Sequence, residues 1–178
     1  MVSKCIDIMP RSLFDQHYWS DVKFVGFDLD GTLYNEKDFI VQSYNRIAGF
    51  LAKDSFLPKK KILDFMLNLW ESKGTSYAHL FDDAISYSHL DSSDSNYYLS
   101  NCLSLYRTFI PTLNLNRSVE RLIDEFHSKY RIFLVTDGDC QLQMNKIESL
   151  SLLHWFDIKD ISISGCMIKR EDKPAKGA

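Results

Sequence analysis

The chain has 178 residues, enough for one domain or for a small core carrying an inserted subdomain. With 45% hydrophobic and 25% charged residues it has the composition of a soluble globular protein, and a formal charge of −3 argues against a nucleic-acid binder that works by phosphate neutralisation. No apolar run approaches membrane-spanning length, and Lys4, Asp7, Arg11 and Asp15 interrupt the region where a signal peptide would be apolar. The cysteines Cys5, Cys102, Cys140 and Cys166 form no Cys-x-x-Cys pair, so neither a zinc site nor a dense disulfide framework is indicated, and a reducing cytoplasm is the expected location.

Residues 1–20, with Pro10 and mixed polarity, read as an irregular lead-in whose Phe14, Tyr18 and Trp19 pack beside the first strand. His17 reads as a surface or packing residue. Phe24, Val25 and Phe27 then form a short β-prone run that ends abruptly at Asp28 and Asp30, with Gly31 turning the chain. Such a strand delivers two carboxylates to its carboxyl end, where open α/β sheets bind ligands. Residues two apart share one side while strand geometry lasts, and glycine lets nearby amides face an anion. An Asx-type turn uses the same residues and is the structural alternative. An EF-hand is excluded, because its sixth and twelfth positions, glycine and glutamate, would fall on Leu33 and Phe39.

The period then becomes helical. Ile40, Tyr44, Ile47, Ala48 and Leu51 mark one face of an amphipathic helix that ends before Pro58. A second helix from Lys59 to about Ser72 carries Ile62, Phe65, Met66, Leu69 and Trp70 and stops at Gly74. Weaker helical segments cover 77–87 and 97–109, separated by the Ser/Asp stretch 88–96 and closed by Pro111. Tyr34, Asn35, His79 and His89 are candidates for lining a pocket beneath this helical block. Lys59-Lys60-Lys61, the basic run, reads as a solvated helix face.

Ser118 is a candidate N-cap for a helix with Val119, Leu122, Ile123 and Phe126 inward. Ile132-Phe133-Leu134-Val135 is a continuous apolar run, the pattern of a strand covered on both faces. It ends in Thr136-Asp137-Gly138-Asp139, so a hydroxyl and a glycine turn arrive where an anion would sit. A helix over 141–151 and a short strand over 160–164 follow.

Phe27-Asp28-Leu29-Asp30-Gly31-Thr32-Leu33-Tyr34 resembles the first motif of the haloacid dehalogenase-like hydrolase superfamily, Asp-x-Asp-Gly-Thr after a hydrophobic strand. The strand ending at Thr136 resembles the second motif, and Lys173-Pro174 resembles the third, with Lys169 as a rival for its lysine. The run from Thr136 through Gln143 and Lys146-Ile147 to Trp155-Phe156-Asp157 is similar to the capped phosphatase branch.

The resemblance implies a Rossmann-like parallel α/β sheet with an inserted all-helical cap: lead-in 1–20, core 21–35 plus 113–178, cap 36–112. It also implies phosphate monoester hydrolysis through an aspartyl-phosphate. Asp28 would be nucleophile and Mg2+ ligand, and Asp30 the acid/base, also holding the metal through its backbone carbonyl. Thr136 and Lys173 would steady the phosphoryl group, with Leu29, Gly31, Thr32, Asp137 and Gly138 around it. Asp30 as second acid favours phosphoryl chemistry over carbon–halogen cleavage. The implied partner is a small phosphorylated metabolite, with neither nucleic acid nor membrane. A phosphomutase of the same superfamily and a non-catalytic interaction module are the alternatives.

One part of the pattern is missing. The superfamily's acidic fourth motif follows a further helix and strand, whereas this sequence reaches Ala178 four residues after Pro174. The resemblance therefore leads to the expectation of a fragment with weakened Mg2+ binding, an uncovered edge at the first strand, and reduced or no activity.

Overall fold

The structure is a computed structural model that describes residues 21–167. The lead-in with His17, and both candidate lysines Lys169 and Lys173, lie outside the described residues. Three strands, β1 (Phe24–Phe27), β2 (Arg131–Thr136) and β3 (Ile161–Ile163), form a parallel sheet in the order β1-β2-β3. Phe27 pairs with Leu134, and Leu134 and Thr136 pair with Ile161 and Ile163. All three carboxyl ends therefore open on the same edge.

One sheet face carries the core. Phe27, Ile132, Leu134, Thr136 and Ile163 are buried on it, and the Phe27 ring meets Phe126 and Phe156 edge-on at 5.8 and 5.9 Å. The opposite face differs from the expectation of a strand covered twice: Phe24, Phe133 and Val135 are 58%, 36% and 47% exposed. A continuous apolar run does not report how many layers surround it. Here burial alternates with the pleat along β2, so one face of the sheet is covered and the other is left largely open.

Between β1 and β2 run α1 (Glu36–Leu51), α2 (Lys59–Lys73), α3 (Leu80–Tyr87), α4 (Ser95–Arg107) and α5 (Arg117–Lys129). The Asn35 side chain caps α1 by accepting from Lys37 N at 3.1 Å, and Glu36 and Asp38 complement its positive end. α1 buries Phe39, Ile40, Tyr44, Ile47, Ala48 and Leu51, so it is the stripe against which α2 and α4 pack. Gly74 ends α2, its N–H donating to Trp70 O at 2.8 Å. Asn116 caps α5, accepting from Ser118 N at 2.9 Å, so the cap falls two residues before the expected Ser118.

After β2 come α6 (Cys140–Ser149) and, beyond β3, α7 (Ser164–Met167). Asp139 caps α6 through Leu142 N at 3.1 Å. The connector from the helical block is held at both sides. Gln42 of α1 accepts from Thr112 N and donates to Thr112 O, both at 2.9 Å, while Asn145 and Ser149 of α6 donate to the carbonyls of Phe109 and Pro111. Among the described residues, no helix is long and apolar enough to cross a membrane.

Candidate active site

Past Phe27 the alternation of burial continues: Asp28 is exposed, Leu29 is fully buried and Asp30 is half-buried. Leu29 and Leu33 anchor the turn in the core, and the Leu29 carbonyl accepts from Leu33 N at 3.0 Å and Thr32 N at 3.4 Å. Gly31 stands at φ 72°, the left-handed region, where a side chain would be strained. Thr32 Oγ1 donates to Asp28 Oδ2 at 3.1 Å. The Leu29 side chain is sealed away, so only its backbone could meet a substrate. The Thr32 and Leu33 amides turn back to Leu29 rather than outward.

Asp30 is the most heavily engaged group of the site. Lys146 Nζ lies 2.8 and 3.0 Å from its two carboxylate oxygens, Gln143 Nε2 donates at 2.9 Å, and the Tyr34 hydroxyl donates to Oδ1. Lys146 is buried, and its ammonium also stands 4.2 Å from the centre of the Phe39 ring. Burial, and then the Asp30 charge, hold the Tyr34 phenol well above its ordinary value, so it remains a neutral donor. The pair spans 116 positions of sequence and was not assigned by motif reading. Its signal was present: Gln143 and Lys146 share a helix face with Ile147 and Leu150, and a lysine on an apolar face needs a counter-ion.

At the end of β2 the Thr136 hydroxyl is buried, and its Oγ1 has no hydrogen-bond partner among the described residues. An orphaned hydroxyl at a strand end, beside the strand that delivers Asp28, is a donor awaiting an acceptor. Gln143 Oε1 is likewise unpaired, while its amide nitrogen also donates to Asp137 O.

The following turn makes two contacts that its local sequence does not announce. The Gly138 N–H, in a turn expected to let backbone amides approach an anion, donates to Ser164 Oγ at 3.0 Å, and Ser164 Oγ donates to the Asp137 carboxylate. Cys140 and Cys166 form a single disulfide, which is not the dense framework that the cysteine spacing argued against. Both contacts have one origin: the parallel pairing of β2 with β3 brings α7 alongside the turn before α6, a proximity that cysteine spacing does not encode. Cys102, by contrast, is free and buried in the helical block, where burial pushes its thiol up to about 12.

A cavity of about 750 Å³ opens beside the first motif, lined by Tyr34, Asn35, Trp70, Asn114 and Asn116 among others. Tyr34 and Asn35 thus lie where a pocket was expected. His89 lines a separate cavity between α3 and α4, and the exposed His79 occupies the N-cap position of α3 without a side-chain capping bond. The donor set suits a water-rich Mg2+ site rather than a closed one. Asp28 is an exposed carboxylate with one hydroxyl contact, whereas the Asp30 carboxylate is taken by Lys146, leaving that residue its backbone carbonyl as a metal donor. No cluster of three or more His, Cys, Asp or Glu that could hold a metal occurs among the described residues.

Among solved structures the chain is similar to a protein of Thermotoga maritima proposed to be a beta-phosphoglucomutase, at 16% identity and TM-score 0.54, over 83% of this chain and 63% of that one. A HAD hydrolase of family IA, variant 3, from Entamoeba histolytica matches at 19% identity and TM-score 0.52, over 88% and 64%. The chain therefore spans under two thirds of the length of these structures, and likenesses at such identity concern the fold alone. No curated protein matches the sequence significantly. The family model of haloacid dehalogenase-like hydrolases matches residues 25–174, a stretch that starts in β1, takes in Asp28, Asp30, Lys146 and Thr136, and runs through Lys173. With that model covering most of the sequence and the parallel sheet carrying its acids at the carboxyl edge, the chain belongs to the haloacid dehalogenase-like hydrolase family.

Proposed function

We propose that the site hydrolyses phosphate monoesters of small metabolites. The observation that carries this reading is the orphaned Thr136 hydroxyl, buried at the end of β2 next to the strand end that presents Asp28. A hydroxyl without a partner costs stability unless a ligand oxygen accepts from it. A phosphoryl oxygen is such an acceptor.

In this reading the Asp28 carboxylate attacks phosphorus, with Thr32 Oγ1 orienting it from 3.1 Å. Asp30 protonates the leaving alkoxide and later takes a proton from the water that hydrolyses the aspartyl-phosphate. Its triple anchorage by Lys146, Gln143 and Tyr34 fixes where that proton is handled. Thr136 offsets charge on the phosphoryl oxygens, and Lys173 is assigned the same task by its motif. Mg2+, held by Asp28 and the Asp30 backbone, would neutralise further charge on those oxygens. Residues 36–112 form the cap over the ester's carbon skeleton, which the cavity between Tyr34, Trp70 and Asn114 accommodates.

The test is phosphate release from a panel of small phosphate esters by the full chain with Mg2+, with Asp28→Asn as control. Release by the wild type, and loss of turnover at an unchanged melting temperature in the variant, is expected. Full activity in Asp28→Asn removes the nucleophile assignment. Return of phosphate to a sugar rather than to water identifies a phosphomutase. Neither reaction, together with no rise in melting temperature on adding Mg2+, points to a non-catalytic module.

A further inference from the structure

The turn between β2 and α6 is clasped to the turn that leaves β3. Gly138 N–H donates to Ser164 Oγ at 3.0 Å, Gly165 N–H donates to Gly138 O at 3.0 Å, and Ser164 Oγ donates to the Asp137 carboxylate. The two backbones touch. A Cβ on Gly165 would stand 2.2 Å from the Gly138 carbonyl oxygen and 3.1 Å from Cys140 N, so the approach requires glycine. The Cys140–Cys166 disulfide is the covalent member of this clasp.

Thr136 and Ile163 are already paired through the sheet, so the strands stay together without the bridge. Cys166 is exposed, and Cys140 is the first residue of the ten-residue helix α6, where the positive helix end stabilises a thiolate. The buried Cys102 has neither property.

We propose that Cys140–Cys166 is a reversible thiol–disulfide site, exchanging with low-molecular-weight dithiols and disulfides, whose oxidised form keeps the Gly138 amide on Ser164 at the carboxyl edge of the sheet and whose reduced form releases it. A thiolate of the dithiol attacks the exposed Cys166 Sγ, forming a mixed disulfide and expelling the Cys140 thiolate, the better leaving group. The second thiol of the reductant then displaces Cys166 and closes the reductant's own disulfide. Two electrons and two protons thus pass from the dithiol to the cysteines. Oxidation by a low-molecular-weight disulfide such as oxidised glutathione reverses each bond change. The inference goes beyond the hydrolase reading and needs no turnover to be tested.

The experiment treats the folded full chain with dithiothreitol, follows the Cys140–Cys166 peptide by mass spectrometry, and reads amide hydrogen exchange at single residues. The expected result is reduction without unfolding, with exchange at Gly138 and Gly165 faster by roughly tenfold or more while Leu134 and Val135 keep their protection. Oxidised glutathione should restore the same pairing. Gly165→Ala, kept oxidised, should speed Gly138 exchange with the sulfurs intact, because the methyl cannot fit against the carbonyl. Reduction only in step with loss of β2 protection, reduction that leaves Gly138 exchange unchanged, or reoxidation to a pairing with Cys5 or Cys102 would each overturn the proposal.

Discussion

The Asp30–Lys146 pair makes a quantitative claim because its two members are unequally buried. The Lys146 side chain is 4% exposed and that of Asp30 is 21% exposed. Asp30→Asn strands an ammonium that water barely reaches, and removing one partner of a buried pair costs about 3–5 kcal/mol. Lys146→Met leaves a carboxylate that water can still touch and that keeps Tyr34 and Gln143 as donors, while the methionine refills the space over Phe39. A cost of about 1–3 kcal/mol follows, the range for leaving a polar group under-satisfied. The double variant removes both charges, so the two losses should fall short of additivity by about 2–3 kcal/mol. Equilibrium urea unfolding followed by circular dichroism measures all three. For a chain of this length the Asp30→Asn loss lowers the melting temperature by roughly 6–20 °C. Losses that add to within about 0.5 kcal/mol, or a Lys146→Met variant less stable than Asp30→Asn, would refute the reasoning.

Two further outcomes follow from the same geometry. Thr136→Val removes a buried hydroxyl that bonds nothing among the described residues, so stability should hold or rise by up to about 1 kcal/mol, whereas turnover should fall by roughly 10²–10³-fold if that hydroxyl serves the transition state; a Val variant with undiminished turnover would disconnect Thr136 from the chemistry. Burial, as the largest cause, raises the Tyr44 and Tyr106 phenols above their ordinary value of 10.0. The folded state therefore keeps protons that the unfolded chain releases above pH 10, and stability, complete below that pH, should fall as pH rises further, by about 1.4 kcal/mol per pH unit for each such tyrosine. Tyr44→Phe should flatten the fall in alkaline urea titrations by one proton, and an unchanged slope would contradict it.

Most of the strand ends and helix stripes could be read directly, because period, turn residues and caps act within a few positions. β1 with its two acids, the stripe of α1 from Ile40 to Leu51 and the Gly74 stop of α2 are all local statements. Where reading slipped, local chemistry offered two equivalent choices, as with Asn116 against Ser118 at the start of α5. The continuous apolar run of β2 hid an exposed face, because hydrophobicity marks a capacity for burial and the neighbours decide whether it is used.

By itself the sequence determined the family motif, the parallel α/β pattern and the arrival of Asp28, Asp30 and Thr136 at strand ends, since each depends on residues adjacent in the chain. Only the tertiary structure decided that Lys146 and Tyr34 hold Asp30, that the Thr136 hydroxyl is orphaned while the Gly138 amide is spent on Ser164, and that Cys140 meets Cys166. The physical reason is common to all of them. A buried charge, donor or thiol takes its character from whichever group packing sets against it, and that group can lie anywhere along the chain.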